Sequence, residues 1–137
     1  MKPSISRTLL LLIVLALGGC SSEPVKGLQR VFQDIAQAVQ PSKGAPELAT
    51  GIQKYEDGKY GEAVSRLNAA LAEGLSASEE VTAHKYLAFI HCVSRREKQC
   101  RGEFRKALDK DPGFQLEAAE AGHPIWGPVF RSVKDRG

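Results

Sequence analysis

The chain has few of the features that mark enzymes or membrane-spanning proteins. It contains no nucleophile elbow, no phosphate-binding loop and no His-Glu metalloprotease helix. Its one long apolar run, Leu9–Leu17, is shorter than the roughly 20 residues that a membrane-crossing helix needs. Alternation of apolar and polar residues, the pattern of a strand, is also lacking. We therefore expect neither an enzyme nor a transmembrane helix, and we assign no catalytic residues.

The first twenty residues have the pattern of an export signal. A basic start with Lys2 and Arg7 leads into the apolar run, which ends at small residues. The ending Leu17-Gly18-Gly19-Cys20 resembles the lipobox of bacterial lipoproteins. This resemblance implies cleavage before Cys20 and fatty acyl chains, such as palmitate, attached to Cys20, with no other cofactor. An ordinary signal peptide with a coincidental cysteine is the alternative.

A lipidated Cys20 would decide where the protein resides. Each buried methylene of an acyl chain contributes about 0.8 kcal/mol, so two or three chains would make the anchor permanent in practice. Residue 21 is Ser. In the lipoprotein family an Asp at this place commonly retains the protein in the inner membrane. The resemblance therefore implies the outer membrane, with the protein facing the periplasm.

The charge of the mature chain argues against nucleic-acid binding. Removal of residues 1–19 removes two cations and no acid, so the formal net charge falls from +3 to +1. Nucleic-acid binding depends on an excess of basic side chains. We expect protein partners in the cell envelope and a membrane contact through the lipid.

The remainder of the chain has the periodicity of helices, which predicts an all-α fold. Apolar residues between 28 and 39 follow the spacing of one helix face. Further helices are predicted at 46–57, at 60–73, from an N-cap at Ser78 to about Val93, and at 99–109. Gly58 is predicted as a left-handed cap and Gly74 as a helix end. The predicted organisation is a signal peptide (1–19), a lipidated tether (20–27), an N-terminal helix and linker (28–45), and a helical domain with a C-terminal cap (46–134).

Two segments of this domain resemble tetratricopeptide repeats. In the first, Gly51, Tyr55, Gly58, Tyr60, Ala63, Leu67 and Ala70 fit the small and large positions of the repeat. In the second, Leu87, Ala88, Phe104, Ala107 and Pro112 fit, and Cys100 takes the small-residue position of Ala63. The resemblance implies about two antiparallel helix pairs. Since about three repeats are usually needed for stability, we expect helix 28–39 and the C-terminal segment to cap the stack. A generic helical hairpin protein is the alternative.

Two cysteines remain if Cys20 is lipidated. The repeat alignment puts Cys92 near the end of one helix and Cys100 near the start of its antiparallel partner. An oxidising compartment then favours a disulfide between them. Two buried free thiols are the alternative. A metal site that includes His91 matches no zinc spacing and lacks a fourth ligand, so we expect no metal.

The C-terminal segment carries the only tryptophan. Pro124 and Pro128 constrain the backbone on either side of Trp126. They predict a rigid apolar hook that packs into the groove left by the last helix pair. In the other interpretation Trp126, Phe130 and His123 contact a partner, because exposed tryptophans are typical hot-spot residues.

Several of these features together resemble one lipoprotein family. They are the lipobox, Tyr55–Tyr60, Thr82–Phe89, the cysteine pair and the segment Ala119–Phe130. These resemble the TssQ family of small lipoproteins associated with type VI secretion. The resemblance implies a lipid-anchored adaptor, accessory to a secretion machine, with no catalytic residues. A lipoprotein that assembles or pilots outer-membrane proteins is the second hypothesis. A peptidoglycan-linked or lytic enzyme is the third, and no acid pair is placed for its chemistry.

Overall fold

The computed structural model describes Val31 and residues 41–136. The lipobox, Cys20 and the tether lie outside the described residues. So does the helix predicted at 28–39, except for Val31, which is helical and exposed. Contacts divide the chain into two units, residues 1–40 and 41–137.

The described part of the second unit consists of helices and their connecting turns, without a strand, as predicted. Its six helices are α1 (Ala45–Glu56), α2 (Tyr60–Glu73), α3 (Ala77–Val93), α4 (Glu97–Lys110), α5 (Ala118–Ala121) and α6 (Trp126–Lys134). The bounds of α2 are the predicted ones, and those of α1 differ by one residue. Helix α4 begins two residues earlier and ends one residue later than predicted.

The predicted N-cap of α3 was wrong. Ser76, not Ser78, occupies that position, with extended backbone angles. Its backbone N–H donates to the Glu79 carboxylate at 2.8 Å, the arrangement of a capping box. Glu79 lies three residues after Ser76, the spacing that this motif requires, and therefore the helix begins at Ala77.

The four long helices form two antiparallel pairs. Between α1 and α2, the Lys54 ammonium lies 2.9 Å from the Glu62 carboxylate, and Glu47 pairs with Arg66 at 3.1 Å. The later residue of α1, Lys54, meets the earlier residue of α2, whereas the earlier residue of α1, Glu47, meets the later one, as in an antiparallel pair. Helices α3 and α4 follow the same rule, because Lys110 pairs with Glu80 at one end and Cys100 meets Cys92 at the other.

Small and large residues recur at the contact surface of both pairs. Four buried residues of the first pair each lie thirty-seven positions before a buried residue of the second. The matched positions are Gly51 and Ala88, Ala63 and Cys100, Leu67 and Phe104, and Ala70 and Ala107. Small side chains at the first two matched positions allow the helix axes to approach closely.

The turns inside the two pairs have the same backbone geometry. After α1, the N–H of Lys59 donates to the Lys54 carbonyl at 2.8 Å, and Gly58 has a φ of 73°. After α3, the N–H of Arg96 donates to the His91 carbonyl at 2.8 Å, and Arg95 has a φ of 59°. Both are Schellman motifs, which place one residue in the left-handed region. Glycine satisfies that requirement in the first turn, as predicted, but a non-glycine residue occupies it in the second.

Replacement of Arg95 by glycine should therefore stabilise the protein. The left-handed conformation costs a non-glycine residue about 1 kcal/mol or more. The exposed Arg95 side chain forms no hydrogen bond or ion pair with another described residue that would offset this cost. We expect Arg95→Gly to raise the free energy of unfolding by about 1 kcal/mol in urea titrations. Ser94→Gly, one residue earlier at a negative φ, is the matched control and should not stabilise. Equal effects of the two variants would contradict the geometric explanation.

A second prediction concerns the close contact of α1 with α2. A Cβ atom on Gly51 would lie 2.8 Å from Cγ of Leu67, which is fully buried. The overpacking in Gly51→Ala, about 1–3 kcal/mol, should exceed the gain in helix propensity of about 1 kcal/mol. Gly102→Ala is the control, because a Cβ there meets nothing within 4 Å. Thermal unfolding should show the first variant destabilised and the second stabilised; the reverse order would contradict close packing at Gly51.

The C-terminal segment folds into α5 and α6, so the predicted apolar hook consists of two helices. Pro128 is the third residue of α6, within the first turn, where a backbone N–H has no partner in the helix. Helix α6 packs against α3 and α4 through Trp126, Phe130 and Val133, all buried. This contact covers the side of the second helix pair that contains Phe89 and Phe104.

Candidate partner-binding surface

Trp126 and Phe130, proposed from the sequence as partner-binding residues, lie in the core of the C-terminal cap. Their exposed fractions are 8% and 4%. The Trp126 indole stacks on Phe89 at a centroid distance of 4.4 Å, and its Nε1–H donates to the Glu120 carbonyl at 2.9 Å. Phe130 packs edge-to-face on Phe104 at 5.2 Å. These aromatic surfaces are therefore occupied by contacts within the chain.

His123, the third candidate, is half-buried beside Trp126. Its imidazole ring lies parallel to the indole, at a centroid distance of 3.3 Å. Its Nδ1 accepts a hydrogen bond from the N–H of Ile125 at 3.2 Å, which holds the turn before α6. His123 therefore helps to position Trp126. The neighbouring Ile125 is 47% exposed.

The aromatic contacts continue from Trp126 to the surface of the first helix pair. Successive ring contacts link His123, Trp126, Phe89, Tyr86, Tyr55 and Tyr60. We call the last three the tyrosine cluster, and they are the only tyrosines of the chain. Tyr55 and Tyr86 are half-buried, and Tyr60 is 39% exposed. The spacing of these residues in the sequence predicts only helix-packing positions for them. Their proximity to one another becomes visible only in the fold.

A charged pair borders the tyrosine cluster. The Lys85 ammonium lies 2.6 Å from the Glu120 carboxylate and 5.0 Å from the centroid of the Tyr86 ring. The pair joins α3 to α5, and both side chains are largely buried, with exposed fractions of 15% and 21%. It therefore fixes the C-terminal cap against the helix that carries Tyr86.

Burial raises the pKa of the Tyr55 and Tyr86 hydroxyl groups in this surface. Desolvation, with smaller contributions from Tyr60, Tyr86 and Glu120, raises the pKa of Tyr55 to about 12. Desolvation is also the main cause that raises the pKa of Tyr86. Tyr55 and Tyr86 thus present ring surface and uncharged hydroxyl groups over the whole physiological pH range. Such amphipathic rings are enriched in protein–protein interfaces.

A second polar cluster lies between α3 and α4. His84, 8% exposed, has its Nδ1 atom 2.7 Å from the Glu103 carboxylate, which also accepts from Lys106 at 2.8 Å. An ionised carboxylate only accepts hydrogen bonds, so His84 donates here. Burial by itself would raise the pKa of Glu103, but the hydrogen bonds from His84 and Lys106 outweigh it, and the pKa lies below its usual value.

His91 lies one heptad beyond His84 on the same helix. Its Nδ1 atom is buried without a hydrogen-bond partner among the described residues. Burial is the main cause that lowers the pKa of His91 below 6.5, so the ring is neutral at pH 7. Protonation of this ring is easier in the unfolded chain, and stability therefore begins to fall as the pH drops below about 6.5.

Glu103 should contribute a separate loss of stability in stronger acid. A carboxylate with a lowered pKa in the folded state stabilises the fold above its unfolded pKa, and this contribution is lost as the pH falls through the folded value. Glu103→Gln should lower the free energy of unfolding by about 1–2 kcal/mol at pH 7. It should also flatten the pH dependence below about pH 4.5.

The control for Glu103→Gln is Glu97→Gln on the same helix. Glu97 is 65% exposed and pairs with Arg101 within α4. Its replacement should change stability by about 0.5 kcal/mol or less. Urea titrations between about pH 3 and pH 8 compare the two variants. If the free energy of unfolding of Glu103→Gln fell in acid as steeply as that of the unmodified chain, the role of the buried His84–Glu103 pair would be contradicted.

The two cysteines of the domain lie at disulfide-bonding distance, with Cα atoms 5.1 Å apart. Cys100 is fully buried and Cys92 is 6% exposed. In the part of the chain that the structure describes, no three His, Cys, Asp or Glu side chains form a group that could hold a metal ion. None of the described helices combines the length and apolar character required to cross a membrane.

Taken together, the described residues form a small all-helical domain. No family model matches the chain, and no characterised protein or solved structure has significant similarity to it.

Proposed function

We propose that this chain is a lipid-anchored adaptor that binds other proteins in the cell envelope. The observation that carries the proposal is the tyrosine cluster, which lies on the rigid helical domain beside the Lys85–Glu120 pair. Ring surface that is already ordered loses little conformational entropy when it binds. Stacked helix pairs commonly form extended surfaces that bind other proteins.

The helix pairs belong, in this proposal, to about two tetratricopeptide repeats. The four matched buried positions support it, since each pair has a small residue on both helices where the axes approach. The matched Schellman turns after α1 and α3 support it as well. Helices α5 and α6 would be the C-terminal cap of the stack, and the helix predicted at 28–39 its N-terminal cap.

The proposal extends to location and pathway. Lipidation at Cys20 would hold the domain at the outer membrane, facing the periplasm, and the likeness to TssQ lipoproteins favours an accessory role in type VI secretion. Deletion of the gene should then lower secretion and leave outer-membrane protein levels intact. Unchanged secretion would overturn the pathway, and altered outer-membrane protein levels would favour the assembly or piloting hypothesis.

The binding surface is tested by cross-linking in cells that express the full-length chain, with mass spectrometry of the captured proteins. Tyr60→Ala removes the exposed ring of the tyrosine cluster and should reduce capture of secretion-system components. Ile125→Ala is the matched control, because Ile125 is similarly exposed but lies in the turn before α6. Equal capture by both variants and by the unmodified chain would overturn the assignment of the tyrosine cluster. Cys20→Ser separates the lipid anchor from the contact surface, since it should change membrane fractionation.

A further inference from the structure

A groove between the C-terminal ends of α4 and α6 combines an apolar floor with basic side chains. Its volume is about 500 Å³. Leu108, Pro112 and Val133 supply apolar surface, while Arg105, Lys134 and Arg136 supply positive charge. One acid, Asp109, also lines it. The groove is separate from the tyrosine cluster and from the His84–Glu103 pair.

The three cations of the groove differ from half of the other basic side chains in the described part of the chain. Of these twelve other Lys and Arg residues, six have a carboxylate within 4 Å, namely Lys54, Arg66, Lys85, Arg101, Lys106 and Lys110. Arg105, Lys134 and Arg136 form no such pair with a described residue. Their positive charge is therefore not neutralised by an ion pair in this part of the chain.

Two of these cations are held in place by neutral acceptors. Lys134 donates to the Phe114 carbonyl at 2.9 Å, and Arg136 donates to the Ser132 hydroxyl at 2.8 Å. Each contact uses only part of the donor capacity of its side chain. Lys134 and Arg136 also lie at the C-terminal end of α6, where a cation favours the helix dipole. Arg105 is exposed and lies within α4, before its last turn. The helix dipole therefore does not explain the position of this cation.

We propose that this groove binds an acidic peptide segment that carries an apolar side chain; this inference rests on the proposed adaptor function and names the chemistry of one partner. Carboxylates of the peptide pair with Arg105, Lys134 and Arg136, and the apolar side chain covers Leu108 and Val133. Two other anionic ligands fit the groove less well than a peptide does. A free phosphate ion would leave the apolar residues of the groove exposed. An anionic bilayer is broad and flat, whereas these residues line a concave surface.

The test is fluorescence anisotropy with the full-length chain and a labelled probe of sequence Glu-Glu-Leu-Glu-Glu-Leu-Glu-Glu. The probe should bind at low ionic strength, and salt should weaken binding because it screens the charges. Arg105→Glu should weaken binding about tenfold. Lys98→Glu is the matched control, with the same change of net charge on an exposed residue of α4 outside the groove, and should bind as the unmodified chain does. A probe with serine in place of leucine should bind more weakly.

Several results would overturn the proposal. They are absence of probe binding, equal weakening by Arg105→Glu and Lys98→Glu, and equal affinity for the leucine and serine probes. Binding of phosphatidylglycerol vesicles that depends on Arg105, without peptide binding, would assign the groove to lipid headgroups instead. Self-association in sedimentation velocity that Arg105→Glu abolishes would assign it to a second copy of the chain.

The same variants separate this inference from the adaptor function. If Arg105→Glu weakens probe binding as expected, both the groove and its peptide chemistry are supported, whatever the cellular partner is. If the probe fails to bind while Tyr60→Ala still reduces cross-linked capture, the groove inference fails and the adaptor proposal stands. If the probe binds through Arg105 but no envelope protein is captured, the adaptor proposal fails and the groove remains.

Discussion

Trp126→Ala should destabilise the folded domain by about 3–5 kcal/mol, the usual cost of truncating a buried tryptophan. The indole is 8% exposed, stacks on Phe89 and His123, and donates to the Glu120 carbonyl. Its loss would leave a cavity between α6 and the second helix pair, and the Glu120 carbonyl would lose the hydrogen bond from the indole. Domains of this size have total stabilities of about 5–15 kcal/mol, so the loss is a large fraction of the whole.

Urea titrations followed by far-ultraviolet circular dichroism measure this effect, because the variant has no tryptophan to report by fluorescence. Trp126→Phe keeps an aromatic ring against Phe89 but loses the N–H donor, and should cost less than Trp126→Ala. Ile125→Ala is the matched control at the preceding, 47% exposed residue, and should cost about 1 kcal/mol or less. A loss below about 1 kcal/mol in Trp126→Ala would contradict its place in the core.

This result also bears on the binding hypothesis. If Trp126→Ala lowers partner capture, the unfolding of the cap is sufficient to explain it. Tyr60→Ala is the more informative variant, because its ring is exposed and its removal leaves no internal cavity. Measurements of capture therefore need to be paired with the stability of each variant.

Reduction of the Cys92–Cys100 pair should lower the free energy of unfolding by about 2–3 kcal/mol. The chain-entropy model predicts this magnitude for a loop of about nine residues, since the cross-link restricts the unfolded chain. The pair joins the end of α3 to the first turn of α4, at the base of the core that contains Phe104 and Trp126. Its loss should allow the two helices to separate more readily at that end.

Urea titrations with and without reductant test the cysteine pair. The double variant Cys92→Ala/Cys100→Ala should resemble the reduced chain and show no response to reductant. Alanine is preferable to serine at these positions, because a serine hydroxyl at the fully buried Cys100 would lack a partner. Two free thiols in the natural protein, measured by labelling under denaturing conditions, would favour the alternative of buried free cysteines.

Local sequence patterns were sufficient for the helices of the first pair. Apolar spacing and the stops at Gly58 and Gly74 predicted α1 and α2 to within one residue, because periodicity and turn chemistry act over a few residues. The N-cap of α3 shows the limit of such reasoning. Ser76 and Ser78 are both suitable cap residues, and Glu79 decides between them through a hydrogen bond that depends on backbone geometry.

Contacts between distant residues could not be predicted in the same way. His84 differs from a surface histidine only because Glu103, on the next helix, meets it at 2.7 Å. Arg95 gives no local sign of a left-handed backbone, since glycine usually occupies that position. The sequence was compatible with a core position for Trp126 in the cap and also with a partner contact, and the structure places it in the core, stacked on Phe89.

The sequence by itself determined the all-helical class and the bounds of the first helix pair, because these follow from spacing, caps and turns along a short stretch of chain. Only the tertiary structure decided which aromatic residues are buried and which reach the surface. Burial depends on how α6 lies against α3 and α4, and that packing joins residues that are far apart in the sequence. For this reason Trp126 became a core residue, and the tyrosine cluster became the candidate binding surface.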